Sequence, residues 1–352
     1  MMGWKKTMCA LPFMAVDKHD NVFRPCCQQT DPGWAQNHSI GEYFNSDVLD
    51  KLRVDLSSGI RTMGCQKCWQ LEDMGMTSLR QSVNQSRLTD NVVSHPTLTQ
   101  VKLITGKVCN ISCMMCFSTV SSTYGQTWAN DASWTMPKAK QRDIHYDLDM
   151  DSYIRSHADK IQYIDVLGGE PMFCKQFLDL LDHLIQTGSS KNITLFVITN
   201  GTIYTKSLQQ RFLKFKKVVF TVSVDGIGLV NEYQRWPSKW STVSSNLQEF
   251  ASDFDVSLLP TITALNIIHL GRLYDFSLQH NYQINNTQLV DHWPQLLPKN
   301  LPDQLKQKIP EDFRHVAQGK GDPMSLLKFI QRWDLQRKIS IQNYMPEWQM
   351  II

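Results

Sequence analysis

The sequence lacks any apolar run approaching the roughly 18 residues that a membrane helix needs, so no spanning helix is expected. It also has little excess charge. The 352 residues sum to +3, too small to argue by itself for a nucleic-acid partner. The one basic run, Lys214-Phe215-Lys216-Lys217, reads as a solvated helix end. No internal repeat or low-complexity tract is present. A secreted disulfide framework is missing as well: the nine cysteines fall in C-x2-C and C-x3-C-x2-C groups. Such groups read as metal sites in a reducing compartment. Lys5-Lys6 followed by Met8 to Val16 mimics a short signal peptide, but Pro12 interrupts it and no small-residue cleavage site follows. A cytoplasmic location is expected. Hydrophobic content of 42% is enough for a sizeable core.

What the chain does have is Cys109-Asn110-Ile111-Ser112-Cys113-Met114-Met115-Cys116. Three thiolates on one short loop are one fewer than a closed cubane cluster takes, which leaves one iron open to another ligand. Zinc loops also use clustered cysteines, so spacing alone leaves that reading open. The context is a short strand, Val101 to Thr105, before the loop. A second apolar run, Ile161 to Leu167, then ends in Gly168-Gly169-Glu170-Pro171.

On these two motifs the chain resembles the radical S-adenosylmethionine (SAM) enzymes. They carry C-x3-C-x2-C after the first barrel strand and Gly-Gly-Glu after the second. The resemblance implies a SAM-binding [4Fe-4S] cluster on Cys109, Cys113 and Cys116. It places Met115 against adenine and gives Gly168, Gly169 and Glu170 the methionyl ammonium. Glycines let a backbone approach closely, and a carboxylate suits a cation. Thr199-Asn200-Gly201 resembles the family's T-N-G segment, and Ser223-Val224-Asp225-Gly226 its S-x-D-G segment. Asn200 and Ser223 are expected near ribose hydroxyls, Asp225 near ribose or substrate, and Arg235 on a carboxylate of SAM or substrate. The blander readings are strand-end turns for the first three and a helix-surface arginine for the last. Cys174 reads more simply as a buried free thiol.

Residues 1–95 hold five cysteines: Cys9, Cys26, Cys27, Cys65 and Cys68. This resembles the auxiliary-cluster "twitch" or SPASM domains of many radical SAM enzymes, although there the domain follows the barrel. Asn21 stands five residues before Cys26, where those domains have Gly. Asn tolerates a left-handed turn, which favours Cys26 over Cys27 as a ligand. The resemblance implies a second [4Fe-4S] cluster on Cys9, Cys26, Cys65 and Cys68. A structural zinc site on the same four is the other reading. Glu72 and Arg80 look helical, on one face, as support.

Residues 96–293 alternate apolar strand patterns with helical ones, which argues for parallel βαβ units. Candidate strands are 101–105, 161–167, 193–199, 217–224, 256–264 and 286–291. The expected fold is α/β: a partial (β/α)6 barrel with the N-terminal cysteine-rich domain and a C-terminal helical extension, 294–352. Sites in such barrels gather at the C-terminal strand ends. The resemblance implies reductive cleavage of SAM and hydrogen abstraction, with a one-electron reductase such as flavodoxin or ferredoxin as partner. A peptide or protein side chain is the expected substrate. Oxidation of a small alcohol or sugar, or a non-enzymatic iron–sulfur or zinc sensor, stays open.

Overall fold

A computed structural model of the chain describes residues 6–19, 22–30, 34–35, 39–75, 77–128, 144–285, 288–290 and 292–352. Asn21 lies outside the described residues, as does part of the expected strand 286–291. Eleven strands are described, numbered here in chain order. They are β1 (Ala15–His19), β2 (Val22–Arg24), β3 (Trp34–Ala35), β4 (Gln100–Ile104), β5 (Tyr163–Leu167) and β6 (Thr194–Thr199). β7 (Lys217–Val222), β8 (Asp255–Leu258), β9 (Thr261–Ile262), β10 (Gln283–Ile284) and β11 (Gln288–Leu289) follow.

Nine strands form one sheet in the order β10-β8-β7-β6-β5-β4-β1-β2-β3, and β11 pairs with β9. β7, β8 and β10 pair in parallel. β4 and β5 run the same way, because the Gln162 amide donates to Thr99 O at one end and the Thr105 amide to Leu167 O at the other. This is the α/β architecture expected, with two differences. The first concerns β1, which lies in the cysteine-rich N-terminal stretch and pairs in parallel with β4 (Ala15↔Gln100, Val16↔Val101). It then turns back antiparallel into β2. The second concerns the expected strand 256–264, which is broken into β8 and β9 at Leu259-Pro260. Proline has no amide to give to a ladder.

The strands' apolar positions make the core. Val101 and Leu103 of β4, Ile164 and Val166 of β5, and Leu195 and Val197 of β6 are all buried. Between β5 and β6, Lys175–Gln186 buries Phe177, Leu180, Leu181 and Leu184, the i, i+3, i+4, i+7 stripe of an amphipathic helix. The chain divides into two compact units. One is Met1–Leu103, Asp147–Asp165 and His183–Leu195; the other is Ile104–Tyr146, Val166–Asp182 and Phe196–Ile352. No described helix is long and apolar enough to cross a membrane.

Candidate functional site

The loop Cys109–Cys116 follows β4 and lies wholly in the second unit. Its backbone is held from the chain just after the helix Leu229–Gln234. The Ser112 amide donates to Trp236 O and the Met114 amide to Gln234 O, both at 2.7 Å. The Trp293 indole donates to Cys116 O at 2.9 Å, and Arg337 Nη2 to Ser112 Oγ at 2.8 Å. Arg337 ends the helix Pro323–Arg337 and stacks over the Trp333 ring, 3.4 Å from its centroid. Trp293, just before the C-terminal extension, and Arg337 within it therefore help to hold the loop, a role that spacing gave no sign of.

Gly168 and Gly169 run against the chain entering the loop. The Gly169 amide donates to Gly106 O at 2.7 Å and the Glu170 amide to Val108 O at 2.8 Å. A Cβ on Gly168 would collide with Thr105 Oγ1 and lie 2.7 Å from Gly106 O. One on Gly169 would collide with Val108 O and lie 2.8 Å from Lys107 C. These obstacles are mostly backbone, so both glycines are required for close approach of two chain segments.

Glu170 is fully buried and faces the end of β6. It accepts from Thr199 Oγ1 at 2.9 and 3.0 Å, from the Asn200 amide at 2.8 Å and from the Met172 amide at 3.2 Å. Burial raises its pKa to about 7, opposed by those donors. Asn200 passes the connection on. Its Nδ2 donates to Asn110 Oδ1 at 2.9 Å and lies 3.8 Å from Cys109 Sγ, and its Oδ1 accepts from the Thr202 amide. Asn110 Nδ2 completes the circuit with Thr202 Oγ1 at 2.8 Å.

Asp225 and Arg235 form a pair. Arg235 Nε is 2.7 Å and Nη2 3.1 Å from the Asp225 carboxylate, which also accepts from the Thr261 amide at 2.8 Å. Arg235 Nη1 points to Cys113 Sγ at 3.7 Å. Both side chains are buried. Ser223 and Met115 are half-buried, and Ser223 is fixed through its amide, which donates to Thr199 O at 2.9 Å. Among the site residues expected in this unit, Cys109, Cys113, Gly168, Gly169, Glu170, Asn200, Asp225 and Arg235 thus belong to one bonded frame around the loop. Met115 and Ser223 flank it, with no side-chain hydrogen bond among the described residues. Thr199 belongs to the expected Thr199-Asn200-Gly201 segment; the roles of Asn110, Trp236, Trp293 and Arg337 were not foreseen.

The thiols of the loop are raised by burial, Cys116 to about 12; Glu170 adds to this at Cys109 and the other thiols add to it at Cys113 and Cys116, while Arg235 opposes it at Cys113 and Cys116 and backbone donors oppose it at Cys109 and Cys116. Free, they are protonated at neutral pH; binding iron must displace those protons. Three converging thiols with N–H groups aimed at two of them fit a cluster held by three cysteines.

In the first unit the cysteines lie near one another: Cys9 is raised by burial and by the charges of Cys65 and Cys68, and Cys26 by burial and by Cys9, Cys27 and Cys65. The helix Leu79–Arg87 places Cys9. Arg80 Nη1 and Asn84 Nδ2 donate to Met8 O at 2.6 and 2.8 Å, and Asn84 Oδ1 accepts from the Ala10 amide. Cys65 is the N-cap of the helix Gln66–Asp73, with Cys68 in its first turn. The Thr30 amide, donating to Gly64 O, ties the Cys26 turn to that knuckle. Glu72 and Arg80 stand on two successive helices, not one, and meet at 2.5 Å across the Ser78 cap. Cys27 is exposed and feels Lys102, Asp17 and Asp165. Those three sit mid-strand on β1, β4 and β5: Lys102 contacts Asp17, and Gln100 Nε2 reaches Asp165 at 2.7 Å. This charged strip was also not foreseen. Among the described residues, no group of three or more His, Cys, Asp or Glu is arranged to hold a single metal ion.

Residues 98–249 match the family model described as a 4Fe-4S single cluster domain. That range contains Cys109, Cys113 and Cys116, excludes the N-terminal cysteines, and is less than half of the chain. No curated protein matches the sequence. Among solved structures, the chain is similar to anSMEcpe with bound AdoMet (15% identity, TM-score 0.42, covering 69% of this chain and 63% of that one). It is also similar to Streptococcus suis SuiB bound to precursor peptide SuiA (13% identity, TM-score 0.42, covering 79% and 62%). A further match is SuiB bound to S-adenosylmethionine (14% identity, TM-score 0.40, covering 83% and 66%). The chain spans less than two thirds of the length of these proteins. At such scores the weight rests on the residues themselves.

Proposed function

We propose that the chain is a radical SAM enzyme. In this reading Cys109, Cys113 and Cys116 hold a SAM-binding [4Fe-4S] cluster, and Cys9, Cys26, Cys65 and Cys68 hold an auxiliary one. The observation that carries it is the frame around the loop. Three thiols from one segment are fixed by the ends of β5, β6 and β7, on a parallel sheet, with Gly168-Gly169 against the segment that enters the loop. A cluster held by Cys109, Cys113 and Cys116 would supply the electron for reductive cleavage of SAM, the chemistry that lets such enzymes take hydrogen from a substrate carbon.

The chain's own residues bind and orient. Glu170, already ionisable near neutrality, accepts the methionyl ammonium beside the Gly168-Gly169 backbone. The Ser223 hydroxyl, without a side-chain bond among the described residues, and Asn200 serve the ribose. Met115 packs its thioether on adenine. Asp225 and Arg235 brace the loop from behind. A one-electron reductase such as flavodoxin or ferredoxin is the partner that loads the cluster.

The proposed substrate is a peptide or protein side chain, on the resemblance of the N-terminal cysteine pattern to twitch and SPASM enzymes. The other reading is oxidation of a small alcohol or sugar. Label transfer decides between them. Cells are grown on deuterated medium, and their peptide and low-mass fractions are offered separately to reconstituted enzyme. Deuterium in 5′-deoxyadenosine with the peptide fraction, and a mass change in a peptide, is the expected result. Transfer from the low-mass fraction alone would reverse the substrate assignment.

A further inference from the structure

The guanidinium of Arg235 is divided between two partners. Nε and Nη2 face Asp225 at 2.7 and 3.1 Å, while Nη1 faces Cys113 Sγ at 3.7 Å. Arg235 is 7% exposed and Asp225 0%, so solvent screens neither. Asp225 cannot turn away: its Oδ1 also accepts from the Thr261 amide at 2.8 Å, its own amide donates to Asn231 Oδ1 at 3.0 Å, and its carbonyl accepts from Asn266 Nδ2 at 2.9 Å. Arg235 is fixed by the same stretch of chain that grips the loop, since Gln234 O and Trp236 O on either side of it accept from Met114 and Ser112. A charge held this rigidly beside a thiol sulfur acts on whatever that sulfur ligates.

We infer that Arg235 is a positioning residue for the electron and not a contact of SAM or substrate: its guanidinium, tempered by Asp225, sets the potential at which the cluster on Cys109, Cys113 and Cys116 is reduced. The inference rests on the radical SAM reading. Reduction adds one negative charge to the cluster and its three thiolates. A nearby cation stabilises the reduced form more than the oxidised one, and hydrogen bonds to ligand sulfurs act in the same direction. Asp225 opposes this by partial neutralisation. The pair is therefore a trim with two opposite settings. Removing the cation makes reduction harder; removing the carboxylate makes it easier. A purely structural brace has no such antisymmetry, because breaking either half would loosen the loop in the same way.

The test is a redox titration of anaerobically reconstituted full-length protein, followed by electron paramagnetic resonance on the signal that changes when SAM is added. The parent is compared with Arg235→Gln, Arg235→Lys and Asp225→Asn. For one electron, a tenfold change in the reduced-to-oxidised ratio at fixed potential corresponds to a shift of about 59 mV. Arg235→Gln is expected to lower that ratio about tenfold or more. Asp225→Asn is expected to raise it, and Arg235→Lys to stay near the parent. Iron content is measured on every sample. If Arg235→Gln loses iron, the Asp225→Asn and Arg235→Lys titrations carry the comparison. Shifts of one sign in Arg235→Gln and Asp225→Asn would overturn the inference, as would an unmoved potential with weakened SAM binding in Arg235→Gln. A parent that binds no iron on the three cysteines would overturn the radical SAM reading, and this inference with it.

Discussion

Replacing Glu170 by Ala should destabilise the iron-free, SAM-free protein by an amount that depends on pH in a defined direction. The substitution removes the acceptor from three buried donors: Thr199 Oγ1, the Asn200 amide and the Met172 amide. At about 1 kcal/mol each, their loss costs about 3 kcal/mol. Against this stands the carboxylate's own burial. Its pKa is raised from 4.5 to about 7, chiefly by desolvation. A folded pKa above the unfolded one means that the parent's stability from this group is fully present below about pH 4.5 and lost as pH rises through about 7. The loss comes to roughly 3 kcal/mol. Glu170→Ala lacks that loss. Its penalty should therefore be largest near pH 5 and shrink by roughly 3 kcal/mol near pH 8.

The assay is urea denaturation of parent and variant under reducing conditions at pH 5, 6.5 and 8, read by tryptophan fluorescence. Other titrating groups are common to both proteins, so they cancel in the difference between them. Equal penalties at pH 5 and pH 8 would refute the reasoning, because they would mean that Glu170 is not held against its charge in the folded chain.

Anaerobic reconstitution should load roughly eight irons as two cubanes, and replacing Cys109, Cys113 and Cys116 together by Ala should leave about four. Stoichiometric zinc on the N-terminal cysteines after anaerobic purification would rule out the auxiliary cluster. Gly169→Ala should cost at least about 1–3 kcal/mol in thermal or chemical denaturation, since its Cβ meets backbone that cannot yield. It should also lower iron on the loop; unchanged melting and iron content would contradict the close approach. Arg80→Ala leaves the half-buried Glu72 carboxylate with Ser78 Oγ as a donor but without its cation, and takes one of two donors from Met8 O, a loss of about 1–3 kcal/mol. Iron should fall selectively at the N-terminal site, measured with SAM binding as the control that stays level. Ser223→Ala should raise the SAM dissociation constant about threefold to tenfold by equilibrium binding, for one neutral hydrogen bond, and an unchanged constant would remove Ser223 from the site.

The alternation of strands and helices was legible because local patterns encode it. Val101 to Thr105, Ile161 to Leu167 and the stripe Phe177, Leu180, Leu181, Leu184 each carry their own period, and the structure places β4, β5 and the helix Lys175–Gln186 there. β1 was not legible. Ala-Val-Asp-Lys-His has no apolar alternation, and Asp17 and Lys18 in its middle read as loop. It is a strand because Asp17 meets Lys102 on the neighbouring strand, and Lys18 reaches Asp147 at 3.2 Å and Asp149 at 2.8 Å. Those partners are more than eighty residues away in sequence. Tertiary partners can override weak local preference in this way.

The same division runs through the candidate site. That Cys109, Cys113 and Cys116 lie close together follows from a loop of eight residues, and that Gly168 and Gly169 permit a close approach follows from their missing Cβ. What the glycines approach does not follow: the structure puts them against Lys107 and Val108 of the loop's own lead-in. Asp225 and Arg235 show the limit most clearly. Their residue types suit ribose, carboxylate or substrate equally well, and ten intervening residues say nothing about whether the chain turns back. It does turn back, through the helix Leu229–Gln234, and the two charges meet. A buried arginine without its carboxylate would carry a large desolvation cost, so the pair is maintained by its own energetics before any ligand arrives. Most side chains in the frame already have partners, so in the proposed reading Glu170 and Asn200 meet a bound molecule by sharing bonds they already make to Thr199 and Asn110, while the Ser223 hydroxyl and the Met115 thioether stand beside the loop.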